Sequence, residues 1–245
     1  MIRNTFQFLD KVRLGTEQQW WKLGITDWDN FLKTATIKKV SSDTKEYYNR
    51  QIQAAKKALL NNDSSFFIGK LPAKEMWRLY PEFKEETGFL DIETDSYGKI
   101  TVVGISNYFN TNHFVRGINL EKAAIERELL KYKIIVTFNG GAFDLPKLRK
   151  QLGVKMAMPH IDLKPLCVKL GLKGGLKEIE RILELKRPAH LYGNPVELWK
   201  AFQASGDKDY LDLLLQYNAE DIENLRGVMG YGYKELSNKI YKPQS

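Results

Sequence analysis

Phe89-Leu90-Asp91-Ile92-Glu93-Thr94-Asp95 sets two acids, Asp91 and Glu93, at positions i and i+2 of an apolar, β-branched run. Successive side chains on a strand alternate between faces, so i and i+2 point the same way. Two carboxylates on one face of a buried strand are costly unless positive charge stands between them. A divalent metal ion is the simplest such partner, because hard cations take carboxylate oxygens.

Strand signals continue on both sides of this run. Phe89–Glu93, Ile100–Tyr108 and His113–Ile118 read as three sequential strands, with turns at Tyr97-Gly98-Lys99 and Asn110-Thr111-Asn112. Leu120–Tyr132 reads as a helix and Lys133–Phe138 as a fourth strand, ended by Asn139-Gly140-Gly141. Pro146, suited to a first helical turn, starts a helix to about Leu152, and Met158–Leu163 reads as a fifth strand. The remainder is helical, broken near Gly174-Gly175, Arg187-Pro188, Gly193-Asn194-Pro195 and Gly206. The expected class is α/β: a mixed sheet flanked by helices.

Residues 1–86 differ. They hold four of the five tryptophans (Trp20, Trp21, Trp28 and Trp77) and read as short helices, with an N-cap at Thr26 or Asp27. Ser42–Leu60 is a longer helix with Tyr47, Ile52, Ala55 and Leu59 toward one face. The expected organisation is a small helical module over 1–86 followed by an α/β domain over 87–245.

Composition bounds the function. At 245 residues, 43% hydrophobic and 28% charged, the chain reads as a globular protein. No apolar run approaches the ~20 residues that span a bilayer. Met1-Ile2-Arg3-Asn4-Thr5 lacks an apolar signal region, so a cytoplasmic location is expected by default. Cys167 is the only cysteine, which excludes an intrachain disulfide and a cysteine-based zinc site. The net charge of +8 favours polyanionic partners without proving one.

Two further acids complete a pattern. Asp144 follows the Asn139-Gly140-Gly141 turn and precedes a helix, where a helix N-terminus favours its ionised form. Asp221 lies four residues after Tyr217, so the two share a helical face. Asp91-Ile92-Glu93, then Asp144 after a strand, then Tyr217-x₃-Asp221 together resemble the DEDD 3′–5′ exonucleases, the DnaQ-like branch of the ribonuclease-H-like fold. The tyrosine four before the last aspartate is similar to the DEDDy branch; the histidine branch would have His where Gln216 stands. Asn139-Gly140-x-x-Phe143-Asp144-x-Pro146 resembles the proofreading domain of family B DNA polymerases. It is still more similar to stand-alone YprB-type exonuclease domains, as are His160-Ile161-Asp162-Leu163 and Leu172-Lys173-Gly174-Gly175-Leu176-Lys177-Glu178-Ile179-Glu180. The resemblance covers about residues 87–230.

The resemblance implies a ribonuclease-H-like sheet and a phosphodiester hydrolase using two divalent cations, Mg²⁺ or Mn²⁺. Such a reaction needs a nucleophilic hydroxide, charge relief at phosphorus and a stabilised leaving oxygen. By resemblance, Asp91 bridges both ions, Glu93 and Asp221 complete one ion's site, and Asp144 acts through the other. Tyr217, with an ordinary pKa near 10, orients the attacking water rather than taking its proton. The expected partner is single-stranded nucleic acid, DNA ahead of RNA, with Asn139, Phe143, Lys173 and Lys177 as candidate substrate contacts. Phe143, Tyr217 and Tyr97 are candidate stacking residues. The rival functions are a non-catalytic nucleic-acid-binding protein on the same fold and a structure-selective endonuclease.

An EF-hand counted from Asp91 would need Gly and Glu where Ser96 and Val102 stand. Asp162 reads as an N-cap rather than a fifth site acid. Gly174-Gly175, with Lys173 and Lys177, either holds a phosphate at a helix start or is an ordinary turn. Cys167 reads as a buried apolar residue. Phe6–Leu32 faintly resembles a helix-hairpin-helix start, but Lys11-Val12-Arg13 replaces the two glycines that would let backbone amides approach a phosphate.

Overall fold

The computed structural model describes residues 1–191 and 194–241. The chain divides into two compact units, Met1–Lys84 and Glu85–Ser245.

The first unit is helical, with α1 at Leu14–Lys22, α2 at Trp28–Lys33 and α3 at Ser42–Leu60. Asp27 caps α2 by accepting from the Asn30 N–H at 2.8 Å, and Ser41 caps α3 by accepting from the Thr44 N–H at 3.2 Å. Aromatic rings fill its interior: Phe6, Trp20, Phe31 and Tyr48 form one contact chain, and Phe8 joins Trp28 to Phe67. Trp20 and Trp28 are therefore core residues. The buried stripe of α3 is Lys45, Tyr48, Ile52, Ala55 and Ala58, with Tyr48 and Ala58 in place of the expected Tyr47 and Leu59. Tyr47 instead turns outward, its hydroxyl donating to Asp10. Glu17, fully buried, accepts from Thr5 Oγ1, the Phe6 N–H and Gln7 Nε2 and pairs with Arg78, so its charge is met from several sides. Lys11 takes a φ of +64°, the conformation a glycine would adopt more readily.

The second unit is the expected mixed sheet. Its strands are β1 (Thr87–Thr94), β2 (Ile100–Ser106), β3 (Thr111–Val115), β4 (Ile134–Thr137) and β5 (His160–Asp162), in spatial order β3-β2-β1-β4-β5. The first three are antiparallel neighbours, and β4 and β5 add in parallel. Helices α4 (Lys122–Leu129), α5 (Asp144–Lys147), α6 (Leu163–Leu170), α7 (Leu176–Ile182), α8 (Pro195–Ser205) and α9 (Lys208–Tyr241) complete the unit.

One sheet face packs Leu90, Ile92, Val103 and Ile105 against Ile125, Leu129, Tyr132 and Leu148. The other packs Val102 and Val115 against Trp199, Leu211 and Leu214 of α8 and α9. Asp91 and Glu93 alternate with Leu90 and Ile92, so they belong to the face that α9 covers.

Several elements end earlier than expected because side chains capture backbone groups. Strand β2 stops at Ser106, where Asn107 Oδ1 accepts from the N–H groups of Phe109 and Asn110. Strand β3 stops at Val115, whose N–H goes to Asn119 Oδ1. The helix expected from Pro146 begins at Asp144 and continues as a π-helical turn over Leu148–Leu152. Asp162 ends β5 and caps α6, accepting from the Lys164 N–H. Of the expected break at Gly193-Asn194-Pro195, Gly193 lies outside the described residues; Asn194 caps α8, with Pro195 at its first position. Gly206, at φ +72°, ends α8 before α9 begins.

Candidate metal centre

Strand β1 and helix α9 bring three acids together. Carboxylate oxygens of Asp91, Glu93 and Asp221 all lie within 4.8 Å of one another. The β1–β2 register slips between Glu93 and Thr94, and such bulges re-aim side chains at the edge of a site. Asp144 stands at the start of α5, buried, with Oδ1 accepting from the Ile92 N–H at 3.2 Å. It is tied to the β1 backbone beside the three acids rather than joining their cluster.

Like charges this close cannot all ionise freely. At an effective dielectric of about 20, each pair at ~5 Å repels by roughly 3 kcal/mol. Desolvation pushes Asp91 well above the usual carboxylate range, and Glu93, Asp144 and Asp221 push further, against a hydrogen bond from Asn218. Glu93 is pushed up to about 8, by burial first and Asp221 next. Burial pushes Asp144 up to about 7 and Asp221 up to about 6, the latter held down by Arg187. An all-oxygen, charge-deficient set of this kind fits a hard divalent cation such as Mg²⁺ or Mn²⁺.

The RNase H superfamily model matches residues 88–233, which takes in all four acids and Tyr217. The chain belongs to the RNase H superfamily. Among solved structures, the family B DNA polymerase from the hyperthermophilic archaeon Pyrobaculum calidifontis is similar at 15% identity and a TM-score of 0.48. The match covers 59% of this chain and 24% of the polymerase. No curated protein matches the chain.

Around the acids of this RNase H-like sheet lies a partly cationic wall. Arg187 donates through Nε and Nη2 to both oxygens of Glu180, at 2.9 and 2.8 Å, and Nη2 also meets Asp221 Oδ1. Burial works against the guanidinium, but Glu180 and Asp221 outweigh it and hold it charged. Lys177 Nζ lies 4.4 Å from the centre of the Tyr217 ring and draws Glu93 and Asp221 toward their charged forms. Arg187 lies over the same ring at 5.5 Å. Tyr217 is buried, and that burial, with Asp221 and Glu93 beside it, raises its pKa, so its hydroxyl keeps its proton at neutral pH.

Arg187 is thus the chain's own counter-cation for Asp221. Removing one partner of a buried pair costs about 3–5 kcal/mol, because the other charge is stranded. Arg187→Met is expected to destabilise the protein by that order in urea unfolding; unchanged stability would mean that Glu180 and Asp221 do not depend on it.

The remaining expected residues have distinct places. Asn139, at φ +64°, donates its N–H to Asp162 Oδ1 at 2.7 Å, and Gly141 donates to Oδ2 at 3.1 Å. Asp162 therefore caps α6 and clamps the turn that leads to Asp144. Phe143 is 40% exposed, with Lys147 Nζ 4.8 Å from its ring centre. Tyr97 is exposed and Lys173 is exposed. Tyr217, only 6% exposed, is not available as a stacking platform. Burial defines Cys167 as expected. Sequence reading missed Asn218, Arg187 and Glu180. Asn218 adjoins Tyr217 and lies three before Asp221, a helical spacing that could have suggested it. In the sequence Arg187 marks only a helix break beside Pro188. Among the described residues, no helix is long and apolar enough to cross a membrane.

Proposed function

We propose that this chain is a metal-dependent 3′–5′ exonuclease of the DEDDy type, akin to stand-alone YprB-type domains, acting on single-stranded nucleic acid. The convergence of Asp91, Glu93 and Asp221, with their oxygens within 4.8 Å, carries the reading. Membership of the RNase H superfamily, whose members are usually nucleases, supports it. The same reading takes residues 1–86 as a helical module with a degenerate helix-hairpin-helix start and 87–245 as the nuclease domain; 242–245 lie outside the described residues.

Asp91, Glu93 and Asp221 would hold one divalent cation, and Asp91 with Asp144 a second, as Mg²⁺ or Mn²⁺. Bound there, the cations supply a hydroxide at neutral pH and charge relief on the phosphate and the leaving 3′-oxygen. The residues then divide the remaining tasks. Tyr217 keeps its proton and donates a hydrogen bond that orients the attacking water. Lys177, beside Glu93 and Asp221, offers positive charge to the phosphate. Phe143, with Lys147 over its ring, offers a face for a terminal base. DNA is placed ahead of RNA because Asn139-Gly140-x-x-Phe143-Asp144-x-Pro146 resembles polymerase proofreading domains.

The test is a 5′-labelled single-stranded DNA with Mn²⁺ or Mg²⁺, beside a chelator control and Asp91→Ala. A ladder shortening from the 3′ end, absent in both controls, is expected. Cutting of circular single-stranded DNA would instead mean an endonuclease. Binding of DNA and of RNA with neither cleaved would replace the enzyme with a binding protein.

A further inference from the structure

The sheet carries a cross-strand row that ends at the metal centre. Asp91 on β1 is the register partner of Gly104 on β2, and Gly104 is the partner of His113 on β3. Directly paired residues share a sheet face, so the row runs acid, glycine, histidine beneath α9. Asn218 of α9, with no exposed surface, lies over the glycine. A Cβ at Gly104 would stand 1.9 Å from Asn218 Oδ1 and 2.5 Å from Ile222 Cδ1. Only a glycine leaves room for the amide here.

One end of that amide is committed. Asn218 Nδ2 donates to Asp91 Oδ2 at 2.7 Å. The other end, Oδ1, is buried without a hydrogen-bond partner, and so is Nε2 of His113. The two groups nevertheless interact electrostatically, and they are complementary if His113 carries its proton on Nε2. Rotating the amide would set its oxygen against the Asp91 carboxylate, acceptor against acceptor. Asp91 therefore dictates the orientation of the amide, and a protonated Nε2 on His113 is compatible with it.

We infer that Asn218 is a positioning residue for the metal centre: seated over Gly104 and backed by His113, it fixes the orientation of the Asp91 carboxylate. This rests on the metallonuclease reading above and deepens it. A free carboxylate on β1 would rotate, and three acids would need to be reordered each time a cation bound. With one oxygen of Asp91 already tied, part of that ordering is complete before any cation binds. Asn218 also favours the charged form of Glu93, so its influence extends to a second of the three clustered acids.

The experiment measures Mn²⁺ binding by calorimetry on the full chain, with thermal melting in chelator alongside. Loss of a group that orients a metal ligand weakens metal binding by about 10–100-fold. Asn218→Ala is expected to raise the Mn²⁺ dissociation constant by that factor. His113→Leu, which removes the group that interacts electrostatically with the amide, is expected to raise it several-fold, and His113→Gln, which keeps a polar donor on that side chain, to restore it. If Asn218→Ala does not fold, the two His113 variants carry the test. Wild-type Mn²⁺ affinity in Asn218→Ala, or in His113→Leu where that variant stands alone, would overturn the inference provided that Asp91→Ala has lost binding. Wild-type protein that binds no Mn²⁺ would overturn the metallonuclease reading itself, and this inference with it.

Discussion

Asp91→Ala is expected to abolish metal-dependent cleavage while making the metal-free protein more stable. Charge stabilisation by a bound cation is worth several kcal/mol in the transition state. Losing it lowers the rate by roughly a thousandfold or more, since each 1.36 kcal/mol is about tenfold. The stability gain comes from the crowding of the buried acids. Desolvation, Glu93, Asp144 and Asp221 all oppose the charged form of Asp91. Alanine removes that repulsion and leaves Asn218 without its acceptor, a loss of about 1 kcal/mol that offsets part of the gain. Rate assays and thermal melting in chelator at pH 8 check both halves. A variant that loses activity and also melts well below wild type would mean that Asp91 holds the fold together rather than serving a cation. Sites kept for function at the expense of stability are a common compromise.

The second large effect is on pH. Burial first, and neighbouring acids with it, push Glu93, Asp144 and Asp221 up to about 8, 7 and 6, each above its ordinary value of about 4. A raised carboxylate pKa means that the folded state binds protons more tightly than the unfolded chain. The contribution to stability is full below pH ~4 and is lost as pH rises through the folded values. Metal-free protein is therefore expected to melt lower at pH 8.5 than at pH 5.5, by a few kcal/mol or roughly 5–15 °C for a chain of this size. If the acids hold a cation as proposed, saturating Mn²⁺ is expected to bind their deprotonated forms and to remove or reverse the trend. Melting curves across that range, with and without Mn²⁺, decide it. A flat profile in chelator would mean that the acids are solvated and independent.

Both predictions trace to how α9 meets β1, and the two elements were not equally legible. The i, i+2 spacing of Asp91 and Glu93 in an apolar run declared their shared face, because alternation is local to one strand. The spacing of Tyr217 and Asp221 did the same for a helix. The mixed sheet followed from the order of strand-like and helical stretches, and its five strands form as expected. Strand ends were less legible: Asn107 and Asn119 terminate β2 and β3 by capturing backbone groups nearby, which composition alone does not reveal.

The sequence by itself determined the class of fold, the acids that carry negative charge toward a common face, and the chemistry such acids invite. Local periodicity and residue type suffice for those. The tertiary structure alone decided which acids meet, since Asp91 and Asp221 come within reach only when α9 packs across the sheet. It also decided that Arg187 and Glu180 neutralise one wall, that Tyr217 is buried beside the acids, and that Asn218 spans Gly104. The bond from Asn218 to Asp91 joins residues 127 positions apart. No periodicity along the chain encodes such a contact; it exists because a glycine on β2 lets a helix side chain descend onto the strand beside it.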